Sequence, residues 1–282
     1  MAHSLYKYTP SAAAAIIFLI LFGAVTVAHI YYVIRRRTWY FLVLVVGGIL
    51  EAVGYAGRFL SSSDTEALAP FLIQNLFLLV APSLFAASIY MILGRVIVSL
   101  EAEKLSPIRT SWLTKIFVGG DVLSFFVQIV GAGMLSKSNT FDLGKTIILV
   151  GLALQIIFFG LFVIVATIFH VRLNKHSSQP LSRLSDMGKR DQFLVILWVL
   201  YGVSALIFVR SLIRLIEYTG GGNGPLMSNE VFLYVFDSVP MWAVLALLIY
   251  YHPSNYVRGK NGVVVPGKNR HDELSLERIG SC

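Results

Sequence analysis

Apolar residues are gathered into seven long runs separated by short polar segments. The runs cover about residues 11–34, 39–60, 71–99, 113–135, 143–171, 191–217 and 229–251. Each reaches the roughly 20 residues that cross ~30 Å of hydrocarbon at 1.5 Å per residue. Within lipid a backbone must satisfy its own hydrogen bonds, so a spanning segment is either a helix or part of a closed barrel. These runs are too long for barrel strands, and they carry Gly and Pro as lipid-embedded helices do. The pattern predicts an all-α polytopic membrane protein with seven transmembrane helices across 11–251. Residues 1–10 form a short leading segment. The tail 252–282, with its Gly, Pro, Asn and charges, reads as a flexible extension. The first run is no cleavable signal: its apolar core is too long, and its strongest basic cluster, Arg35–Arg36–Arg37, follows it.

Composition agrees. Of 282 residues, 56% are hydrophobic and 13% charged, against roughly 45–50% and about 25% in a soluble domain. Mean hydropathy is +0.74. Too few polar residues remain to cover a water-facing surface, which excludes a soluble enzyme, a disordered chain and a secreted disulfide scaffold. The one cysteine, Cys282, permits no intrachain disulfide and, with a terminal thiol, no prenylation box.

Charge sets the orientation. Segments 35–38, 100–115, 172–191 and 252–282 hold sixteen of the 23 lysines and arginines, whereas 1–10, 61–70, 136–145 and 218–230 hold only Lys7, Lys137 and Lys145. Positive charge marks the cytoplasmic side. The N-terminus is therefore expected outside and the C-terminus in the cytoplasm. The net charge of +8 is spread over four segments beside anionic headgroups, which makes membrane lipid its partner and leaves no nucleic-acid surface. The stretch Gly220–Gly221–Gly222–Asn223–Gly224–Pro225 lacks a Lys-Ser/Thr ending and reads as a turn, not a phosphate cradle.

Eight ionisable residues stand out inside the runs: Glu51, Arg58, Arg95, Asp121, Arg210, Arg214, Glu217 and Asp237. Each costs about 2.5–3.5 kcal/mol at the bilayer centre, so such residues turn toward the bundle interior or water. Arg95, near the inner end of its helix, can snorkel. Glu51 and Arg58 share a helix face two turns apart, with Tyr55 between them, and Arg210, Arg214 and Glu217 form an i, i+4, i+7 stripe. By depth, Arg58, Arg214, Glu217 and Asp237 lie in the outer half, with Gln74 and Asn75 at similar depth. Glu51 lies near the midplane and Asp121 deeper. The expected arrangement is a polar funnel open to the outside and narrowing toward Glu51 and Asp121. An ion-pair network pinning helices 2, 6 and 7 is one account of it, and a site for a charged or zwitterionic headgroup is the other. Setting Arg95 aside, four acids face three bases, and a surplus carboxylate suits an ammonium ligand.

Pro82, within Ala81–Pro82–Ser83, should kink the third helix near its middle and free backbone carbonyls toward the bundle. Gly47–Gly48 and Gly119–Gly120 suit close helix packing. His29, His170 and His252 fall on separate helices without a zinc-binding spacing and read as isolated interfacial residues. No nucleophile elbow or ATP-binding loop is present, so the chain reads as a non-enzyme without metal or cofactor.

Several segments resemble one family. They are Glu51-Ala-Val-Gly54-Tyr55-Ala-Gly-Arg58, then Ala81-Pro82 through Tyr90 to Gly94-Arg95, then Phe117-Val-Gly-Gly-Asp121 through Gln128. Later come Arg210-Ser-Leu-Ile-Arg214-Leu-Ile-Glu217 and Glu230 through Tyr234-Val-Phe-Asp237. Together they resemble the fungal lipid-translocating exporters, seven-span proteins of the aminocholesterol-resistance type, over about residues 6–256. The resemblance implies a fungal membrane protein linked to release of sphingoid long-chain bases and tolerance of toxic amphiphiles, with some relatives tied to porphyrin or haem movement. The expected function is translocation or release of an amphipathic lipid across the plasma membrane. Glu51, Tyr55, Arg58, Gln74, Asn75, Asp121, Gln128, Arg210, Arg214, Glu217 and Asp237 are the candidate ligand-binding residues. A seven-span lipid sensor is the rival from another class, although Gly94-Arg95-Val96 replaces the receptor Asp-Arg-Tyr and helix 7 lacks Asn-Pro-x-x-Tyr. A porphyrin carrier is the third, with His29, His170 and tyrosines as possible axial ligands.

Overall fold

The computed structural model describes residues 11–63, 67–100, 102–134, 138–175, 189–219 and 230–252. The expectations for residues 1–10, for 220–225 and for 253–282, Cys282 included, lie outside these residues. Seven helices are each long and apolar enough to cross a membrane. We label them α1 (Ala12–Arg36), α2 (Leu42–Ser63), α3 (Leu68–Ser99), α4 (Thr110–Met134), α5 (Phe141–Lys175), α6 (Lys189–Thr219) and α7 (Glu230–Tyr250). Among the described residues there is no strand. The predicted runs match these helices closely, the widest mismatch being at the end of α5, Lys175 against the expected 171.

Local chemistry sets the ends. The Ser11 side chain accepts from the Ala14 backbone N–H and caps α1. At its other end Arg37 adopts a left-handed conformation and returns its N–H to the last turn, while Arg35 and Arg36 sit where the helix dipole favours cations. Consecutive helices pack on one another, α7 closes against both α6 and α1, and α3 also meets α6. Accordingly α3 buries the largest share of its apolar window and α1 the smallest. The core holds Phe22, Tyr55, Phe85, Tyr90, Phe117 and Phe162. Outside, large apolar side chains such as Ile20, Val27, Leu60, Phe126 and Trp198 are exposed around the bundle. No soluble monomer carries such a surface, and lipid supplies its solvent.

Glycine contacts set the spacing between neighbouring helices. A Cβ at Gly131 of α4 would stand 2.8 Å from the Gly144 carbonyl oxygen of α5, and one at Gly47 of α2 would stand 2.6 Å from the Phe85 ring of α3. Gly48 and Gly120 are similarly filled, by Thr26 and Phe158, whereas Gly119 faces open space. The packing role expected of both glycine pairs thus holds at three of the four positions.

Two helices are irregular, and both irregularities shape the interior. Pro82 lies within α3 and brings no N–H to the Leu78 carbonyl four residues back. In α7, residues Tyr234–Ser238 form a π-turn in which Val239 N–H bonds to the Tyr234 carbonyl. Pro240 follows directly. The π-turn ends just before this proline, and such turns concentrate at functional positions.

The histidines depart from expectation. His29 and His252 are not isolated: both are buried and stack on the Phe41 ring, with centroids 6.2 and 4.9 Å away. His29 Nε2 donates to the Leu245 carbonyl at 3.0 Å. Burial, with Arg36 and His29 nearby, pushes His252 down to about 4. The helices cross so that the ends of α1 and α7 meet around Phe41, a proximity that separation in sequence conceals. His170 Nδ1 instead lies 3.2 Å from the Tyr201 hydroxyl. Among the described residues no group of three or more His, Cys, Asp or Glu is placed to hold a metal.

Candidate functional site

Helix α7 organises the intramembrane charge. Glu230 and Asp237 lie seven residues apart on it, and Glu230 receives one arginine and Asp237 two, all from other helices. Arg58 of α2 donates to Glu230 Oε1 at 2.7 Å, and Tyr234, one turn along α7, donates to the same oxygen at 2.8 Å. The Ser11 backbone N–H reaches both Glu230 oxygens, at 2.9 and 3.0 Å, so this carboxylate ties α1, α2 and α7 together. Arg58 also stacks over the Tyr234 ring at 5.3 Å. Behind it runs an aromatic column: Tyr234 on Phe18 at 5.1 Å, Phe18 on Tyr55 at 5.5 Å and Tyr55 on Phe22 at 5.5 Å. Tyr55 is fully buried, and its hydroxyl bonds to Ser238 within the π-turn.

The second carboxylate joins α6 to α7. Arg210 pairs with Asp237 Oδ1, and Arg214 donates to Oδ2 at 2.5 Å and to Glu217 at 3.1 Å. A second Arg210 nitrogen donates to the Leu78 carbonyl, the group that Pro82 leaves without its helical partner. The N–H that Pro82 lacks, within an otherwise continuous α3, therefore leaves an acceptor for a buried guanidinium.

A cleft opens over this second cluster. Arg210, Arg214, Glu217 and Asp237 line its polar side, and Ile213, Phe232, Leu233 and Phe236 line the rest. It is a shallow groove with a cavity volume of about 20 Å³. Arg214 and Glu217 retain 15% and 19% side-chain exposure, whereas Arg210 is closed off at 4%. The charges reachable from the cleft are thus one guanidinium and one carboxylate, side by side.

The remaining candidates are distributed elsewhere. Glu51 is buried, with Oε1 lacking a hydrogen-bond partner among the described residues, and it lies within electrostatic reach of Arg210, Arg214 and Asp237. Asp121 of α4 accepts from the Tyr90 hydroxyl of α3 at 2.9 Å. Gln128 donates to Gln155 of α5 at 3.1 Å, and Gln155 to Ser83 at 3.3 Å. Gln74 is buried beside α2 where Gly57 lets the two backbones approach, and Asn75 bonds back to the Phe71 carbonyl of its own helix at 2.9 Å. Arg95 is exposed, with its guanidinium 3.9 Å from the Tyr40 ring centroid.

The structure thus brings Arg210, Arg214, Glu217 and Asp237 together at the cleft, with Glu51 behind them. It places Tyr55 and Arg58 along α7, and Asp121 and Gln128 against α3 and α5. The expected surplus of one carboxylate becomes two. With Glu230 added, five acids meet three interior arginines, and among the described residues neither Glu51 nor Asp121 forms an ion pair. Glu230 lies outside the ligand-binding candidates that the sequence singles out. Its spacing to Tyr234 and Asp237, i, i+4 and i+7, repeats the α6 stripe and marks it in the sequence. Tyr90, Gln155, Ser83 and Ser238 carry no comparable signal.

Residues 44–260 match the model of a family described as RTA1 like protein. Protoporphyrin uptake protein 1 of Saccharomyces cerevisiae is 37% identical over 276 residues, covering 86% of this chain and 89% of the relative. Protein RTA1 of the same yeast is 35% identical, covering 88% and 84%. Sphingoid long-chain base transporter RSB1, also of Saccharomyces cerevisiae, is 26% identical, covering 92% and 76%. No solved structure matches the chain.

Proposed function

The chain belongs to the RTA1-like family, and from that premise we propose that it carries an amphipathic lipid, in first place a sphingoid long-chain base, across the plasma membrane. The α6–α7 cleft is the observation that carries this reading. Its polar side offers Glu217 to an ammonium group and Arg214 to a hydroxyl or phosphate, and its apolar side offers Ile213, Phe232 and Phe236 to a hydrocarbon chain. Such a division, a few placed polar groups on an apolar wall, is what an amphiphile requires. The names of relatives support transport over chemistry, since they speak of a sphingoid base transporter and an uptake protein.

A tetrapyrrole is the second reading, favoured by the 37% identity to a protoporphyrin uptake protein. Its propionates would seek Arg214, where a long-chain amine would seek Glu217. Glu217→Gln should therefore weaken binding of sphinganine to the purified protein at least tenfold, about 1.4 kcal/mol, measured by intrinsic fluorescence in lipid nanodiscs. Should Glu217→Gln bind sphinganine normally while Arg214→Gln loses protoporphyrin, the ligand is anionic and the amine reading falls. Mass spectrometry of the copurifying lipid gives an independent answer.

Orientation belongs to the same proposal, with the segment before α1 outside and the chain after α7 in the cytoplasm. Single cysteines at Ser228 and at Ser254, in a variant with Cys282→Ser, should differ in intact cells. An impermeant maleimide should label the first and spare the second. The reverse labelling would overturn the assignment made from the positive charges.

A further inference from the structure

Of the five acids placed inside the bundle, Glu217, Glu230 and Asp237 are held by arginines, and Glu51 lies within reach of two of the same arginines, Arg210 and Arg214. Asp121 differs. It is 2% exposed, on the face of α4 turned toward α3 and α5. Among the described residues the titratable group acting on it is Tyr90, whose hydroxyl donates to Oδ2 at 2.9 Å. Around Tyr90, α4 presents Phe117 and α5 presents Phe159 and Phe162, none of which ionises. Oδ1 has no hydrogen-bond partner among the described residues.

A carboxyl inside a membrane either pairs with a cation or carries a proton, and a lone one is a recurrent element of proton pathways. A metal cation would need several oxygens converging as acceptors. Here Tyr90 places a donor on Oδ2, which suits a carboxyl that exchanges H⁺ at Oδ1. Polar groups continue from this point. Asp121, Ser124 and Gln128 share one buried face of α4, and Gln128, Gln155 and Ser83 form a hydrogen-bonded row that ends beside Pro82. There the Leu78 carbonyl is held by Arg210, the partner of Asp237 in the cleft cluster. We infer that Asp121 is a proton-exchanging site, with H⁺ binding and leaving at Oδ1, and that this exchange couples transport to the transmembrane proton gradient. The coupling rests on the transporter reading above; the proton exchange does not.

Infrared difference spectroscopy on the full chain in phosphatidylcholine vesicles, with no amphiphile added, tests the exchange. On acidification a protonated-carboxyl C=O band should appear, shift in D₂O, vanish in Asp121→Asn and move but persist in Tyr90→Phe. A band absent throughout, or one retained by Asp121→Asn and lost in Glu51→Gln, overturns the site. For coupling, uptake of a fluorescent long-chain amine should respond to an imposed pH gradient in the parent protein. In Asp121→Asn that response should fall at least tenfold while amine binding at the cleft is unchanged, and a sodium gradient should move neither. An Asp121→Asn protein that still follows the pH gradient removes the coupling. A protein that binds no amphiphile yet shows the titrating band removes the lipid reading and leaves the proton site standing.

Discussion

Asp237→Asn should lose about 3–5 kcal/mol of stability, the range for a buried ion pair stripped of one partner. The carboxylate is 8% exposed and pairs with two guanidinium groups at once, Arg210 and Arg214. Neutralising it leaves both cations in the interior, with the Leu78 carbonyl and Glu217 as their remaining named partners. Glu217 is too exposed to compensate both. The double variant Asp237→Asn with Arg214→Gln should recover part of the loss, because the two changes act on one pair and are not additive. Sodium dodecyl sulfate titration followed by circular dichroism measures both. An Asp237→Asn protein as stable as its parent would mean that these pairs do not hold α6 to α7.

Much of the fold could be read before any coordinates, for a physical reason. Lipid forces the backbone into helices and sets their minimum length, so the apolar runs give the spans to within a few residues. Pro82 could be read in the same way, since a missing N–H necessarily leaves the Leu78 carbonyl for another donor, and Arg210 takes it. Pairing between helices could not. Glu51 and Arg58 share a face of α2, which suggested a common network with α6, yet Arg58 turns to Glu230 and the α6 arginines turn to Asp237. The choice is made by α7, whose π-turn brings Tyr234, Asp237 and Ser238 inward together, and a π-turn leaves no mark in hydropathy. The sequence places Asp121 deep in the same funnel as Glu51, and Gln128 among the ligand-binding candidates. Their partners lie instead on α3 and α5, because the glycine contacts of α4 draw it against α5.

Arg58 provides the sharpest test of that pairing. Arg58→Met should cost about 3 kcal/mol, the lower end of the range for breaking a buried pair. Arg58 is 1% exposed, whereas Glu230, at 17%, keeps some access to water when its partner leaves. The stacked Tyr234 ring also loses its cation, worth about 0.5–2 kcal/mol within such a total. In a double-mutant cycle Arg58→Met and Glu230→Gln should couple by about 0.5–3 kcal/mol, as residues in one network do. Arg58→Met and Glu51→Gln should instead add to within about 0.5 kcal/mol, because seven residues at 1.5 Å each set them roughly 10 Å apart along α2. The Ser11 backbone bonds to Glu230 persist in Arg58→Met, so α1 should stay docked, and hydrogen exchange at its first turn should rise less than in Glu230→Gln. Coupling of Arg58 to Glu51 without coupling to Glu230 would return the pairing to α2 and displace α7 from the centre of the charge network.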